Sequence, residues 1–163
     1  MTTEELWGEN VKAFLDMIAV SEGTIGLGDD GYNVLVGSSK DNVKTFSSYA
    51  NHPGVVVELK NKQGVTTRWS SAAGRYQIIS STWHDIMIRR PLLDFSPRSQ
   101  DQAAVYLISG AKAYSDVIAG HFDEAVIKCE HIWASLPGAG YGQRENKLEA
   151  LRDAYILAGG KVV

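Results

Sequence analysis

The hydrophobic pattern changes twice along this chain of 163 residues, and that order constrains the fold more than any other feature. Apolar residues from Trp7 to Ile18 recur at helical spacing, which predicts a helix over residues 6–21 that ends at Gly23. Residues 24–69 are instead rich in Gly, Asp, Asn and β-branched side chains, and helical spacing returns after them. This order predicts an α+β fold, because strands and helices do not alternate as they do in a doubly wound sheet.

The remaining elements follow from turn residues and periodicity. The predicted strands, which form a small antiparallel sheet, cover residues 32–36, 55–59 and 65–69. The predicted helices cover residues 81–90, a segment that begins at Ser96 with Pro97 in its first turn, an apolar stripe over 122–136, and residues 143–157. Because no linker rich in Pro, Gly or Ser separates these parts, we expect a single domain over residues 1–163.

The charge excludes some function classes. A formal net charge of −3 gives no electrostatic footprint for nucleic acid or an anionic membrane. A local basic patch of Lys60, Lys62, Arg68 and Arg75 remains conceivable on one face. The N-terminus is acidic and lacks a signal peptide, and no stretch is long and apolar enough to span a membrane. We therefore expect synthesis in the cytosol without secretory export.

Cysteine and histidine usage predicts neither a disulfide nor a metal site. Cys129 is the single cysteine, and its place on an apolar stripe favours a small buried hydrophobic residue. The histidines at positions 52, 84, 121 and 131 lack metal-ligand spacing, so surface or structural roles are favoured. No cofactor is expected.

Glu22 is the candidate catalytic residue. It continues the apolar face of the first predicted helix, since Leu15 and Ile18 precede it by seven and four residues. Partial burial and the negative end of the helix dipole both disfavour a charged carboxylate there, as a general acid requires. The alternative is a solvated residue in a last helical turn.

Two loops are candidate binding elements. In the first, Ser71 precedes Gly74, whose missing Cβ would allow close approach of a ligand, and Tyr76 and Gln77 offer a stacking face and an amide. The second loop contains Gly138, Gly140 and Tyr141, and its aromatic ring could fold over a sugar. The alternatives are an ordinary loop into a helix and a flexible connection.

Together, these residues make the chain resemble the lambda-type phage endolysins, which are lytic transglycosylases of the lysozyme-like superfamily. The matching runs are residues 12–17, 21–23, 31–34, 73–77, 94–97 and 132–143. The spacing of Ser71, Gly74 and Gln77 also looks like the motif that follows the catalytic Glu of soluble lytic transglycosylases. The resemblance implies a helical lobe and a small sheet lobe that flank a glycan-binding cleft.

The resemblance also implies the roles of several segments. It assigns the catalytic carboxylate to Glu22, an upper lip to residues 51–63 and a lower lip to the loop around Tyr141. The chain departs from the family pattern at residues 24–30 and 55–68, so subsite contacts from those stretches are not carried over. The family further implies a protein that accumulates in the host cytosol, reaches the periplasm through a separate holin pore, and has peptidoglycan strands as its partner. We expect a monomer.

Two reaction types remain open within this family resemblance. Some phage lysozymes place an Asp nine residues after the catalytic Glu, but Gly31 occupies that position here. A transglycosylase needs no second carboxylate, because the muramic acid 6-hydroxyl attacks internally. The alternatives are a muramidase that positions water with Asp29, Asp30 or Asp41, and a non-catalytic wall-binding module.

Overall fold

The computed structural model describes residues 1–140 and 145–163, and it confirms the α+β prediction. Its elements are α1 (Thr3–Trp7), α2 (Glu9–Glu22), β1 (Val57–Lys60), β2 (Thr66–Ser70), α3 (Ser80–Arg89), α4 (Pro97–Gly110), α5 (Tyr114–Ala119), α6 (Phe122–Cys129) and α7 (Leu148–Leu157). The chain forms two compact units. Unit 1 is Met1–Gly23 with Asp101–Val163, and unit 2 is Thr24–Gln100.

The first predicted helix is two helices, α1 and α2. Gly8 separates them because its backbone adopts φ 92° and ψ 167°, which no helix continues. Before the break, Thr2 caps α1 by accepting a hydrogen bond from the amide of Glu5. The predicted end at Gly23 is confirmed: this residue is left-handed, with φ 73°, and its amide donates to carbonyls in the last turn of α2.

The core of unit 1 surrounds α2. Phe14 on α2 makes edge contacts with Phe122 on α6 and Tyr155 on α7, with ring centroids 6.2 and 6.5 Å away. Cys129 is fully buried, as predicted, and burial raises the pKa of its thiol to about 12. The thiol is therefore a neutral packing group at physiological pH.

Three helices in this part of the chain differ from the prediction. The short helix α5 was not predicted. Helix α6 ends at Cys129, not at residue 136, because the carbonyl of Cys129 accepts from the amides of both Ile132 and Trp133 and the chain continues as turns. Trp133 and Leu136 stay buried although they are not helical. The last helix begins at Leu148, whereas residue 143, its predicted start, lies outside the described residues.

The predicted hairpin is present in unit 2. Strands β1 and β2 pair antiparallel, with Val57 opposite Ser70 and Leu59 opposite Arg68, and the register shifts after Leu59. Both strands lie one or two residues later than predicted.

The predicted strand over residues 32–36 is wrong. Val34 and Leu35 make only isolated bridges, to Thr45 and Ala73. Gly31 and Gly37 on either side have φ of 89° and 81°, so the extended segment is too short to propagate a ladder.

Helices α3 and α4 agree with the prediction to within about one residue. Ser96 precedes Pro97 as expected, and its hydroxyl accepts from the amide of Ser99 at 3.4 Å. In the described part of the chain, no helix is long and apolar enough to cross a membrane.

An aromatic cluster around Phe95 forms the core of unit 2. Trp83 and His52 lie with ring centroids 4.7 and 4.8 Å from that of Phe95. His52 Nδ1 accepts from the amide of Gly54, so its Nε2 donates to the Ile78 carbonyl at 2.8 Å. Burial lowers the pKa of His52 below its usual 6.5, because the charged ring is poorly solvated there.

We expect His52→Gln to flatten the pH dependence of stability. Because the folded pKa is depressed, the unfolded chain binds the proton first, and His52 lowers stability progressively as the pH falls below 6.5. The fall in Tm between about pH 7 and about pH 5 should shrink by a few degrees, since ~1 kcal/mol corresponds to about 2–4 °C in a chain of this size. Thermal melts across that range measure it, with the exposed His84→Gln as control. An unchanged slope for His52→Gln would contradict the assignment.

Candidate active site

Glu22 is the last residue of α2, and its side chain is half-buried. The preceding residue, Ser21, is fully buried, while Gly23 turns the chain away in the left-handed conformation. The carboxyl group is therefore held at the helix C-terminus on the side that carries the apolar face. This agrees with the position predicted from the helical spacing.

A hydrogen-bond network within unit 1 reaches the Glu22 carboxylate. Ser135 Oγ donates to Glu22 Oε1 at 3.3 Å and lies 2.7 Å from Ser21 Oγ. Asn146 Nδ2 donates to Ser21 Oγ at 3.0 Å. The sequence analysis assigned no role to Ser21, Ser135 or Asn146, because nothing in the spacing of three residues so far apart indicates that they meet.

The glycine loop after Ser135 is held by a carboxylate that the sequence analysis also missed. Gly138 and Gly140 both have positive φ, 85° and 73°. Their amides donate to the two oxygens of Glu145, at 2.9 and 3.2 Å. The amides of Gly138 and Gly140 are thus already bound by Glu145. Tyr141, the predicted stacking residue, lies outside the described residues.

The motif from Ser71 to Gln77 is largely structural in unit 2. Ser71 Oγ accepts the amide of Ser80, the first residue of α3, at 3.0 Å. A Cβ on Gly74 would lie 2.3 Å from the Oε1 atom of Gln100. The space that this glycine leaves open is therefore occupied by the Gln100 side chain and not left for a ligand. Tyr76 is 1% exposed, and the expected stacking face is instead a core ring.

Gln77 retains one polar atom for a ligand. Its backbone has φ 49°, and its Nε2 donates to the carbonyl of Gly74 at 2.9 Å and to that of Val34 at 3.4 Å. The Oε1 atom of Gln77 makes no hydrogen bond to any residue in the described ranges. An amide acceptor at this place suits an N–H group such as that of an acetamido substituent.

Arg75 is a buried cation and not part of a surface patch. Its side chain is 5% exposed, and Nη2 lies 3.3 Å from the carboxylate of Asp30. The guanidinium carbon also lies 5.3 Å from the ring centroid of Tyr32 and 5.8 Å from that of Tyr76. The proposed basic patch is therefore corrected to the exposed hairpin residues 60, 62 and 68.

The three aspartates considered as water-positioning groups have different environments. Asp30 binds Arg75 and accepts from the amide of Gly26 at 2.8 Å. Asp29 accepts from the hydroxyl of Tyr49 at 2.9 Å, and burial together with this carboxylate raises the pKa of Tyr49 to about 12. Asp41 is exposed. Asp29 and Asp30 thus have structural partners within unit 2.

Two further observations concern ligands. On the hairpin, Trp69 is 62% exposed and offers an aromatic face that the sequence analysis did not assign. Among residues 1–140 and 145–163, no group of three or more His, Cys, Asp or Glu side chains could hold a metal ion.

We expect Glu145→Gln to loosen the glycine loop without unfolding the chain. The amide of glutamine keeps one acceptor oxygen, so one of the amides of Gly138 and Gly140 loses its partner, and the bond that remains loses its charge assistance. Hydrogen exchange at both amides, followed by NMR, should accelerate about 3- to 10-fold, a small factor because the site is exposed. Glu149→Gln, in the first turn of α7, is the matched control. Unaltered exchange would mean that Glu145 does not hold the loop.

Comparison with known proteins places the chain among the phage endolysins. The chain is 42% identical over 158 residues to the endolysin of Escherichia phage P2, covering 93% of this chain and 94% of that protein. It is 41% identical over 155 residues to the endolysin of Escherichia phage lambda, covering 93% and 92%.

Solved structures give the same result for the fold. A structure of bacteriophage lambda lysozyme complexed with a chitohexasaccharide matches with a TM-score of 0.86 at 40% identity, over 96% of this chain and 97% of that one. A second lambda lysozyme structure matches with a TM-score of 0.81 at 39% identity and the same coverage. Residues 12–162 match the family described as Endolysin. The chain therefore has the lambda lysozyme fold and belongs to the endolysin family.

Proposed function

We propose that this chain is a lytic transglycosylase that cleaves the β-1,4 bond between N-acetylmuramic acid and N-acetylglucosamine in bacterial peptidoglycan. The products carry 1,6-anhydromuramic ends. The observation that carries the proposal is the Glu22 carboxyl group, half-buried at the end of α2 and bonded by Ser135, in a chain of the endolysin family. The oligosaccharide in the related lambda lysozyme structure supports a glycan substrate.

Glu22 performs two proton transfers in this reaction. As an acid it protonates the glycosidic oxygen while the bond from that oxygen to the anomeric carbon breaks. The 6-hydroxyl of the same muramic acid then forms a new bond to the anomeric carbon, and the Glu22 carboxylate takes the proton of that hydroxyl. Water is not consumed, and the internal attack benefits from a high effective molarity.

We favour a transglycosylase over a hydrolase because no carboxylate occupies the position at which some phage lysozymes carry a second one. Most hydrolytic glycosidases place a second carboxylate opposite the acid, at about 5 Å in retaining enzymes and more in inverting ones. Gly31 occupies the position where some phage lysozymes carry that group. Asp29 and Asp30 are engaged by Tyr49 and Arg75. These partners favour structural roles for both carboxylates.

The glycan contacts in this proposal come from one amide group and two aromatic rings. The Gln77 Oε1 atom accepts an acetamido N–H, and the Tyr141 and Trp69 rings stack on sugar faces. Gly138 and Gly140 precede Tyr141 in the sequence, and Ser71, Gly74 and Tyr76 support Gln77 through the packing of unit 2. The enzyme acts as a monomer in the periplasm, after release from the host cytosol through a separate holin.

The products of digestion test the reaction type. We expect purified peptidoglycan to yield muropeptides with anhydromuramic ends, which are lighter by one water than hydrolysis products, and no new reducing muramic ends. Mass spectrometry of the digest, with and without borohydride reduction, distinguishes the two. Predominantly reducing muramic ends would assign the chain to the muramidases, and the absence of any new end would make it a binding module.

Glu22→Gln tests the acid and base. We expect the rate of lysis of chloroform-treated Gram-negative cells to fall by at least about 100-fold, because general acid–base catalysis is lost. Tm near neutral pH should stay equal or rise, since the amide keeps the shape and removes a half-buried charge. Turbidity and thermal melts on the same preparation measure both, with Glu124→Gln on α6 as control. Lysis by Glu22→Gln would remove this residue from the mechanism.

A further inference from the structure

The Glu22 carboxylate terminates a continuous chain of side-chain hydrogen bonds in unit 1. From Glu22 Oε1 the chain passes to Ser135 Oγ at 3.3 Å, from there to Ser21 Oγ at 2.7 Å, and then to Asn146 Nδ2 at 3.0 Å. Ser21 and Ser135 are 0% and 8% exposed, so both hydroxyls must find their partners within the protein. The two hydroxyls in the middle of the chain of hydrogen bonds are therefore shielded from water, between the half-buried Glu22 and Asn146.

Asn146 determines the direction of this chain. Its Nδ2 atom also lies 3.0 Å from the backbone carbonyl oxygen of Ser21 and 3.3 Å from that of Ser135. A flipped amide would place Oδ1 against those two carbonyl oxygens, which no hydrogen bond could compensate. The nitrogen thus faces the network, and because an amide nitrogen only donates, Ser21 Oγ accepts from Asn146.

The other end of the chain is determined by the charge on Glu22. An ionised carboxylate only accepts, so Ser135 must donate its single hydroxyl proton to Glu22. Ser135 Oγ can then only accept from Ser21, whose own oxygen accepts from Asn146. Every donor points toward Glu22, and this arrangement matches the ionised carboxylate. Aligned hydroxyl dipoles of this kind strengthen one another in a medium of low dielectric constant.

We propose that Ser21, Ser135 and Asn146 are positioning residues that hold the Glu22 carboxyl group in one orientation and stabilise its ionised form. The consequence for catalysis rests on the proposed function of Glu22 as acid and base. Partial burial and the helix C-terminus disfavour the charge on Glu22, whereas the directed chain favours it. The directed chain of hydrogen bonds thus opposes the effect of burial on a group that must first give up a proton and then accept one.

The elements around this network carry other titratable groups, some of them in ion pairs. Helices α1, α5 and α7 pack against α2. On α2, Asp16 pairs with Lys12; on α5, Asp116 pairs with Lys128; on α7, Arg152 pairs with Asp123. The other titratable side chains described on these helices and on the segment before α7 are Glu4, Glu5, Glu9, Tyr114, Glu130, His131, Glu145, Lys147, Glu149, Asp153 and Tyr155. A readout specific to Glu22 is therefore needed.

The test is a carbon-13 NMR titration of the Glu22 carboxyl in the full chain and its variants. Ser135→Ala removes the donor to Glu22, and Asn146→Leu removes the group that orients Ser21. We expect the Glu22 titration midpoint to move to higher pH by about one pH unit in Ser135→Ala, since a hydrogen bond to a charged group is lost, and by less in Asn146→Leu. Ser135→Thr, which keeps a hydroxyl donor, should restore the midpoint.

Ser99→Ala is the matched control. Its buried hydroxyl also donates to a carboxylate, that of Asp94 at 2.8 Å, but it belongs to unit 2. Hydrogen bonds from Ser96 hold the pKa of Asp94 below its usual value, and the Ser99 hydroxyl adds to this effect. Loss of that hydroxyl should therefore raise the midpoint of Asp94 and leave that of Glu22 unchanged. A general loss of stability from removing a buried hydroxyl would affect both variants alike.

The pH dependence of kcat/KM on purified peptidoglycan separates the two proposals. If the Glu22 midpoint and the alkaline limb of the profile move together in Ser135→Ala, both are supported. If the Glu22 midpoint moves while the pH profile of kcat/KM is unchanged, the proposed hydrogen-bond chain is supported and the role of Glu22 as the acid is overturned. If the Glu22 midpoint is unchanged in folded Ser135→Ala and Asn146→Leu while Glu22→Gln is inactive, the hydrogen-bond chain has no effect on the Glu22 charge. That result overturns the positioning proposal and leaves the catalytic role of Glu22 intact.

Discussion

The burial of α2 is the constraint on which unit 1 depends. Apart from Val20, its apolar residues are almost fully enclosed, and Phe14 joins them to an aromatic cluster with Phe122 and Tyr155. A helix packed in this way cannot rotate without exposing that surface, so the direction of its last side chain is set by hydrophobic burial far from the chemistry. Gly23 then ends the helix in a conformation that few other residues tolerate. Glu22 is thus positioned by packing and by a backbone turn.

Unit 2 is organised around a buried charge. Arg75 is almost fully enclosed, and a cation in that position is tolerated only when its charge is balanced and its donors are satisfied. Asp30 supplies the opposite charge, and Tyr32 contributes the face of its ring. Gln100 accepts from the Arg75 amide and donates to the carbonyls of Tyr32 and Phe95. This arrangement explains why most residues of the motif from Ser71 to Gln77 contact other residues of unit 2, although its sequence resembles a binding loop.

Directional hydrogen bonding completes the candidate site in unit 1. Asn146 and Glu145 are neighbours in sequence and act in opposite senses: the Asn146 amide donates toward Ser21, whereas the Glu145 carboxylate accepts from the amides of Gly138 and Gly140. One short segment before α7 thereby connects the network at Glu22 with the glycine loop.

The sequence alone determined the α+β class, the hairpin, the end of α2 at Gly23 and the place of Glu22, because hydrophobic spacing and glycine conformation are local properties. Local reasoning missed the break at Gly8 in the N-terminal helix and extended α6 past Cys129, since apolar spacing persists where the backbone turns. It read Tyr76 as a binding face. Only the tertiary structure decided that this ring is buried and that Ser135 and Asn146 reach Ser21, because those contacts join residues more than a hundred positions apart or depend on burial. No spacing within one segment encodes them.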